Sequence, residues 1–159
     1  MLNDYQKNER KCRDISYQTN LAKEEKITKV FIQWCKDNHY RYRVNPTDTS
    51  ANLLGSDITI QKSGIKYEVD LKGCQYKYNT VALSYQRSYD GHTWKDCLSS
   101  KTKITDLYVF IDELNNIYGI TRDEILFRFN KYHKTNGSLE NCGHYQKLIL
   151  IPKDDLMTM

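Results

Sequence analysis

The spacing of hydrophobic and polar positions along this chain changes several times, and each change marks an element. Between residues 20 and 38, Ile27, Val30, Phe31 and Trp34 recur at helical spacing with Cys35 beside them, which predicts a helix with one apolar face. Thr19 or Asn20 can cap its start, and Glu24 and Glu25 fall in the first turns, where the helix dipole favours anions. Arg41–Asn45 reads as extended and stops at Pro46, and residues 47–56 are rich in turn formers and read as a loop.

The cleanest pattern follows. In IKYEVDLKG, Ile65, Tyr67, Val69 and Leu71 alternate with Lys66, Glu68, Asp70 and Lys72, which is strand periodicity. GSDITIQ precedes it, and Ser63-Gly64 between them reads as a two-residue hairpin turn. Such a turn pairs Lys62 with Ile65, Ile60 with Tyr67, Ile58 with Val69 and Asp57 with Asp70. The apolar residues then share one face, which supports the register. The other face carries Asp57 opposite Asp70, with Lys72 one step along the strand. Opposed side chains lie roughly 5 Å apart at Cβ, and like charges there are destabilising. A hard divalent cation between the two is the simplest use for them. The plainer alternative is a solvated sheet face on which Lys72 neutralises the pair.

Further along, Val81, Leu83 and Tyr85 alternate with Ala82, Ser84 and Gln86, so residues 80–85 predict a third strand. Residues 93–100 read either as a short helix or as an irregular insertion. TDLYVFID, residues 105–112, predicts a buried strand, and IYGI, residues 117–120, pairs back on it. Thr121-Arg122-Asp123-Glu124 is a capping box, which predicts helix over Arg122–Asn130. Residues 131–146 read as loop, and LILI, residues 148–151, as a last strand ended by Pro152. The order is helix, three strands, an unassigned segment, two strands, helix, strand. It predicts an α/β sandwich with a mixed sheet, as one domain over residues 20–159 behind a polar arm at residues 1–19.

Composition narrows the class. Hydrophobic residues make up 39% of the chain and charged residues 28%, and no stretch reaches the roughly 18–20 apolar residues of a transmembrane helix. The charged start MLNDYQKNERKCRD lacks the apolar run of a secretory signal. Five cysteines, an odd number with no CxxC pair, fit reduced thiols better than a disulfide framework, so a cytoplasmic, non-secreted protein is expected. Cys142-Gly143-His144 with His133 matches no standard zinc spacing. The absence of GxGxxG and GxxxxGK[ST] argues against a nucleotide cofactor.

Net charge is +4, and the stretch 72–103 holds the same excess, with Lys72, Lys77, Arg87, Lys95, Lys101 and Lys103 against Asp90 and Asp96. Cations just after a carboxylate pair suit phosphate contacts.

A helix carrying a glutamate, then a strand carrying Asp57, then a strand carrying Asp70-Leu71-Lys72, resembles the PD-(D/E)xK nuclease superfamily, the restriction-endonuclease-like fold that includes Holliday junction resolvases. The resemblance spans about residues 20–125. It implies an αβββαβ core with a central mixed sheet flanked by helices. It further implies Mg²⁺, with Mn²⁺ as a substitute, held by Asp57, Asp70, the backbone carbonyl of Leu71 and the helical acid, Glu24 or Glu25. Lys72 matches the family lysine, and Gln86 a glutamine found in some branches. Asp70 stands where glutamate is more usual, and Glu68 on the same face is an alternative ligand. The implied activity is hydrolysis of DNA phosphodiester bonds, with Lys77, Arg87, Lys95, Lys101 and Lys103 as backbone contacts. A homodimer is expected for cutting both strands. The alternatives are a branched-DNA resolvase and a catalytically inactive nucleic-acid- or protein-binding module on the same fold.

Overall fold

The structure, a computed structural model, describes residues 22–137 and 145–159. The N-terminal arm, the Thr19 and Asn20 caps and Cys142-Gly143-His144 lie outside the described residues. Helix α1 covers residues 22–37. It is followed by β1 (Arg41–Val44), α2 (Ser50–Leu53), β2 (Ile58–Lys62), β3 (Ile65–Gly73), β4 (Thr80–Ser88) and β5 (Lys95–Asp96). Then come β6 (Leu107–Ile111), β7 (Ile117–Thr121), α3 (Arg122–Arg128), β8 (His133–Asn136), β9 (Tyr145–Pro152) and β10 (Met157–Thr158).

The strands form two sheets. A six-stranded sheet has the order β1-β2-β3-β6-β7-β10, and a four-stranded sheet has the order β5-β4-β9-β8. In the larger sheet β3 and β6 run parallel and the other pairs antiparallel, so it is mixed, as expected. The hairpin register is the one the alternation predicts: Ile58 pairs with Val69, Ile60 with Tyr67 and Lys62 with Ile65. Ser63 (φ 53) and Gly64 (φ 78) both take positive φ, the requirement of a type I′ turn whose twist matches its strands.

Each face of the six-stranded sheet has its own core. Helix α1 lays Phe31 and Cys35 on Ile58, Ile60, Val69, Leu71 and Val109. On the opposite face, Tyr108, Phe110 and Ile120 pack against Val81, Leu83, Ile149 and Ile151 of the smaller sheet and against Ile125 of α3. Helices thus flank the sheet on both sides, and β6, covered on both faces, is buried at every position.

Three local expectations change, and one open alternative resolves to the irregular insertion. The third strand β4 leaves the hairpin's sheet and pairs with β9, because its one apolar row, Val81 and Leu83, completes the second core. The loop at residues 47–56 contains the short helix α2, capped by the Thr49 hydroxyl, which accepts from the Asn52 N–H. The segment at residues 93–100 is irregular apart from β5. The predicted loop at residues 131–146 contains β8, whose four residues are all exposed and give no apolar signal. Among the described residues, no helix is long and apolar enough to cross a membrane.

Candidate active site

The regular hairpin ladder ends at Ile58 and Val69, so Asp57 does not take the register position opposite Asp70 that the alternation predicts. Its N–H donates to the carbonyl of Val69, the partner of Ile58, at 2.8 Å, while its own carbonyl accepts from the Asn45 N–H at 2.9 Å, and this irregular step at the start of β2 brings the Asp57 carboxyl beside Asp70. The Asp57 carboxylate is then oriented by two donors, the Leu71 N–H at 2.8 Å on Oδ2 and the Asn52 side-chain amide at 3.1 Å on Oδ1. Asp70 is buried on the face away from α1, and the Lys72 amine lies 3.3 Å from its Oδ1. Burial, and next the negative Asp70 beside it, push the Asp57 carboxyl up to about 6, against the pull of the Leu71 amide and Lys72. A strand residue directs its N–H and C=O to the same side, so the Leu71 carbonyl also faces Asp57.

Glu68, on the same face, is bound elsewhere. Its Oε2 accepts from the Ser56 hydroxyl at 2.6 Å and the Thr59 hydroxyl at 2.7 Å, and the Asn45 amide donates to both hydroxyls. Burial alone would raise the Glu68 carboxyl, but these hydroxyls and Lys66 hold it below the usual glutamate range. The network fixes the residue before Asp57, and it commits Oε2 of Glu68 to two hydroxyls while Lys66 lies 3.5 Å from Oε1.

Lys103 lies closer to the centre than sequence reasoning places it. Its stem runs across Gly55, and its Nζ sits 5.8 Å from the Tyr108 ring centroid. Tyr108 registers with Asp70 on the neighbouring strand, so the amine stands over the acidic face. Burial lowers the Lys103 pKa, Lys72 lowers it further, and Asp70 opposes both. Among the described residues, no ion pair includes Lys103. Gly55 has φ +99, and a Cβ there would meet the Thr105 hydroxyl and the Lys103 stem, so only glycine lets the two segments approach.

The loop that carries Lys103 is held by Arg122, the first residue of α3. Its guanidinium donates to the carbonyls of Leu98 (2.8 Å), Ser100 (2.8 Å) and Lys103 (3.3 Å). Replacing Arg122 by alanine removes the guanidinium donors and leaves the Ser100 carbonyl with the Lys103 N–H alone. The expected cost is about 2 kcal/mol, read as a lower midpoint in denaturant unfolding with an unchanged slope. An unchanged midpoint would show that the clamp carries no weight.

The remaining predicted residues lie apart from this group. Glu24 is exposed near the start of α1, whose packed residues Phe31 and Cys35 cover the face opposite Asp70. Glu25 is likewise exposed. Gln86 is on β4 in the second sheet, and its amide donates to Asp96 at 2.8 Å. A bulge between Ser84 and Gln86 breaks the alternation from which its orientation was inferred. Arg87 and Lys95 are exposed partners in register on β4 and β5, Lys101 is exposed in the following loop, and Lys77 is exposed in the turn after β3. Asn52, Ser56, Thr59 and Arg122 support the site through contacts that carry no sequence motif.

No family model matches this sequence, and no curated protein matches it either. Among solved structures the chain is similar to a bacterial homing endonuclease, I-Ssp6803I. The TM-score is 0.49 at 13% identity, over 65% of this chain and 69% of that one. The likeness is distant, and the chemistry below rests on Asp57, Asp70 and Lys72.

Among the described residues, no three acidic, histidine or cysteine side chains gather as a ready metal cage. Two carboxylates and a carbonyl still suit Mg²⁺, which is commonly bound through one or two carboxylates, with water and substrate phosphate completing its shell. The proton affinity of Asp57, raised by burial and by Asp70, marks a place where added positive charge is favoured.

Proposed function

We propose that this chain is a metal-dependent endonuclease that hydrolyses DNA phosphodiester bonds. The observation that carries the proposal is the pair Asp57 and Asp70, whose carboxyls interact at the open end of the hairpin, with the Lys72 amine 3.3 Å from Asp70. Asp57, Asp70 and the Leu71 carbonyl would hold Mg²⁺, or Mn²⁺ in its place. When bound, the ion supplies a Lewis acid for the phosphate and a lower pKa for the attacking water.

The chain's own groups do the rest. The Leu71 N–H and the Asn52 amide fix the Asp57 carboxylate before substrate arrives. Lys72 sits where it can orient a water for in-line attack and offset charge developing on the phosphate. Lys103, half-buried and without a carboxylate of its own, offers a second ammonium to the same phosphate. The described residues hold one such centre, so concerted cutting of both strands calls for two copies.

Supercoiled plasmid incubated with the protein and Mg²⁺ or Mn²⁺ should be nicked or linearised, and EDTA should stop the reaction. Lys72→Ala should slow cleavage by roughly 10²–10³-fold without altering circular dichroism. Plasmid and branched DNA that both stay intact with either metal would overturn the proposal, as would full activity in Lys72→Ala.

A further inference from the structure

The face of the large sheet that carries Asp70 is covered unevenly. The second sheet and α3 pack on Tyr108, Phe110 and Ile120, on the β6–β7 side. On the β1–β2–β3 side of the same face Thr59, Glu68 and Asp70 are buried, while the positions towards edge strand β1 and the hairpin tip are exposed, and register identifies what stands on them. Arg43 pairs with Thr59, which pairs with Glu68, and Arg41 pairs with Gln61, which pairs with Lys66. Partners in an antiparallel ladder share a face, and Lys66 and Glu68 share theirs with Asp70 and Lys72. Arg41, Arg43 and Lys66 are all exposed. The acid that stands nearest these cations in register, Glu68, is buried and bonded to two hydroxyls. A groove lined by His39, Arg41, Gln61 and Lys62 continues this surface at the hairpin tip.

We infer that Arg41, Arg43 and Lys66 form a track for the phosphate backbone of duplex DNA flanking the cleavage point, an inference that rests on the nuclease proposal. Charge complementarity and continuity with the acidic centre select this partner. Strands lie about 4.8 Å apart and rise about 3.3 Å per residue, which puts Arg43 roughly 12 Å and Arg41 roughly 16 Å from Asp70. Phosphates rise 3.4 Å per step along a DNA strand, so these cations reach about three to five nucleotides from the scissile phosphate. The duplex flank therefore crosses the hairpin towards edge strand β1, away from the cation-rich stretch 72–103. Edge cations can also serve only to block strand pairing between molecules, and that role predicts aggregation without any change in DNA affinity.

The test compares two triple variants with the same change in net charge. One is Arg41→Gln/Arg43→Gln/Lys66→Gln, and the other is Lys23→Gln/Lys26→Gln/Lys29→Gln on exposed positions of α1. Binding of a fluorescent duplex is followed by anisotropy in EDTA across a salt series, and single-turnover cleavage is measured at saturating protein. The track variant should bind roughly 10- to 100-fold more weakly near physiological salt, with a log–log salt slope shallower by about 2–3. Its saturated cleavage rate should stay within about twofold of wild type. The α1 variant should change the slope far less. Equal losses in both variants, or an unchanged slope in the track variant, overturn the track while leaving the nuclease standing. A wild-type protein that neither binds nor cuts DNA overturns both.

Discussion

Asp57→Asn is expected to reduce metal-dependent cleavage by about three orders of magnitude or more, and to leave the folded chain more stable at neutral pH. The two effects have opposite signs because the acid serves chemistry at the expense of the fold. A ligand that helps stabilise transition-state charge is worth several kcal/mol, and each 1.36 kcal/mol is tenfold in rate. In the metal-free chain, however, Asp57 is ionised at neutral pH against burial and against Asp70, with a carboxyl raised to about 6. Asparagine removes that charge and keeps an acceptor for the Leu71 N–H, while the Asn52 amide can turn its carbonyl towards the new NH₂. A carboxyl raised to about 6 by its surroundings costs the fold at most about 3 kcal/mol once ionised, less where it is partly solvated. Denaturant unfolding in EDTA at pH 7 measures the gain, and plasmid cleavage measures the loss. A variant that loses both activity and stability would make Asp57 a structural residue.

The second large effect is a fall in stability with rising pH. Asp57 titrates near 3.9 in an unfolded chain and at about 6 in the fold. Between those values the folded state holds a proton that the unfolded state has released, so stability declines as pH rises. The penalty is absent below about pH 4 and complete above about pH 7, and it amounts to roughly 1–3 kcal/mol. Glu68 acts in the other direction. Its hydroxyl partners hold it below the usual range, so its contribution is present at neutral pH and lost as pH falls below about 4.5. Unfolding midpoints in EDTA should therefore peak near pH 5 and decline towards pH 7. Asp57→Asn should remove the decline and keep the acid limb. A wild-type profile that rises between pH 5 and pH 7 would contradict the assigned environment of Asp57.

Much of this site was legible in the sequence because its two acids are local. Twelve residues lie between Asp57 and Asp70, and a two-residue turn with alternating strands fixes the hairpin register from Lys62–Ile65 to Ile58–Val69, although the irregular step that carries Asp57 past that register leaves no mark in the pattern. The strand pair β6–β7 and the capping box at Thr121, whose hydroxyl accepts from the Glu124 N–H at 3.2 Å, are local in the same way. What escaped depends on distant partners. Nothing within residues 80–88 says that the strand pairs with residues 145–152 rather than with the hairpin. That displacement, with the bulge at Tyr85, is why Gln86 bonds to Asp96. Lys103 was legible as a cation but not as a neighbour of Asp70, since the loop path that brings it there depends on Arg122 and Gly55.

The parallel pairing of β3 with β6 has a consequence for how the molecule assembles. Hairpins close in about 1–10 μs, so the β2–β3 unit can bring Asp57 and Asp70 together while the rest of the chain is still disordered. Their mutual repulsion is then slight, because water screens it. Joining β6 to β3 closes a loop of more than thirty residues that contains β4 and β5, and such non-local contacts form slowly. The conflict between the acids should grow at that later step, when Tyr108 comes into register beside Asp70. Mutations at the pair should therefore act mainly on the unfolding rate and leave the folding rate nearly unchanged. The chain commits to its topology before it meets the electrostatic cost of its own reaction centre.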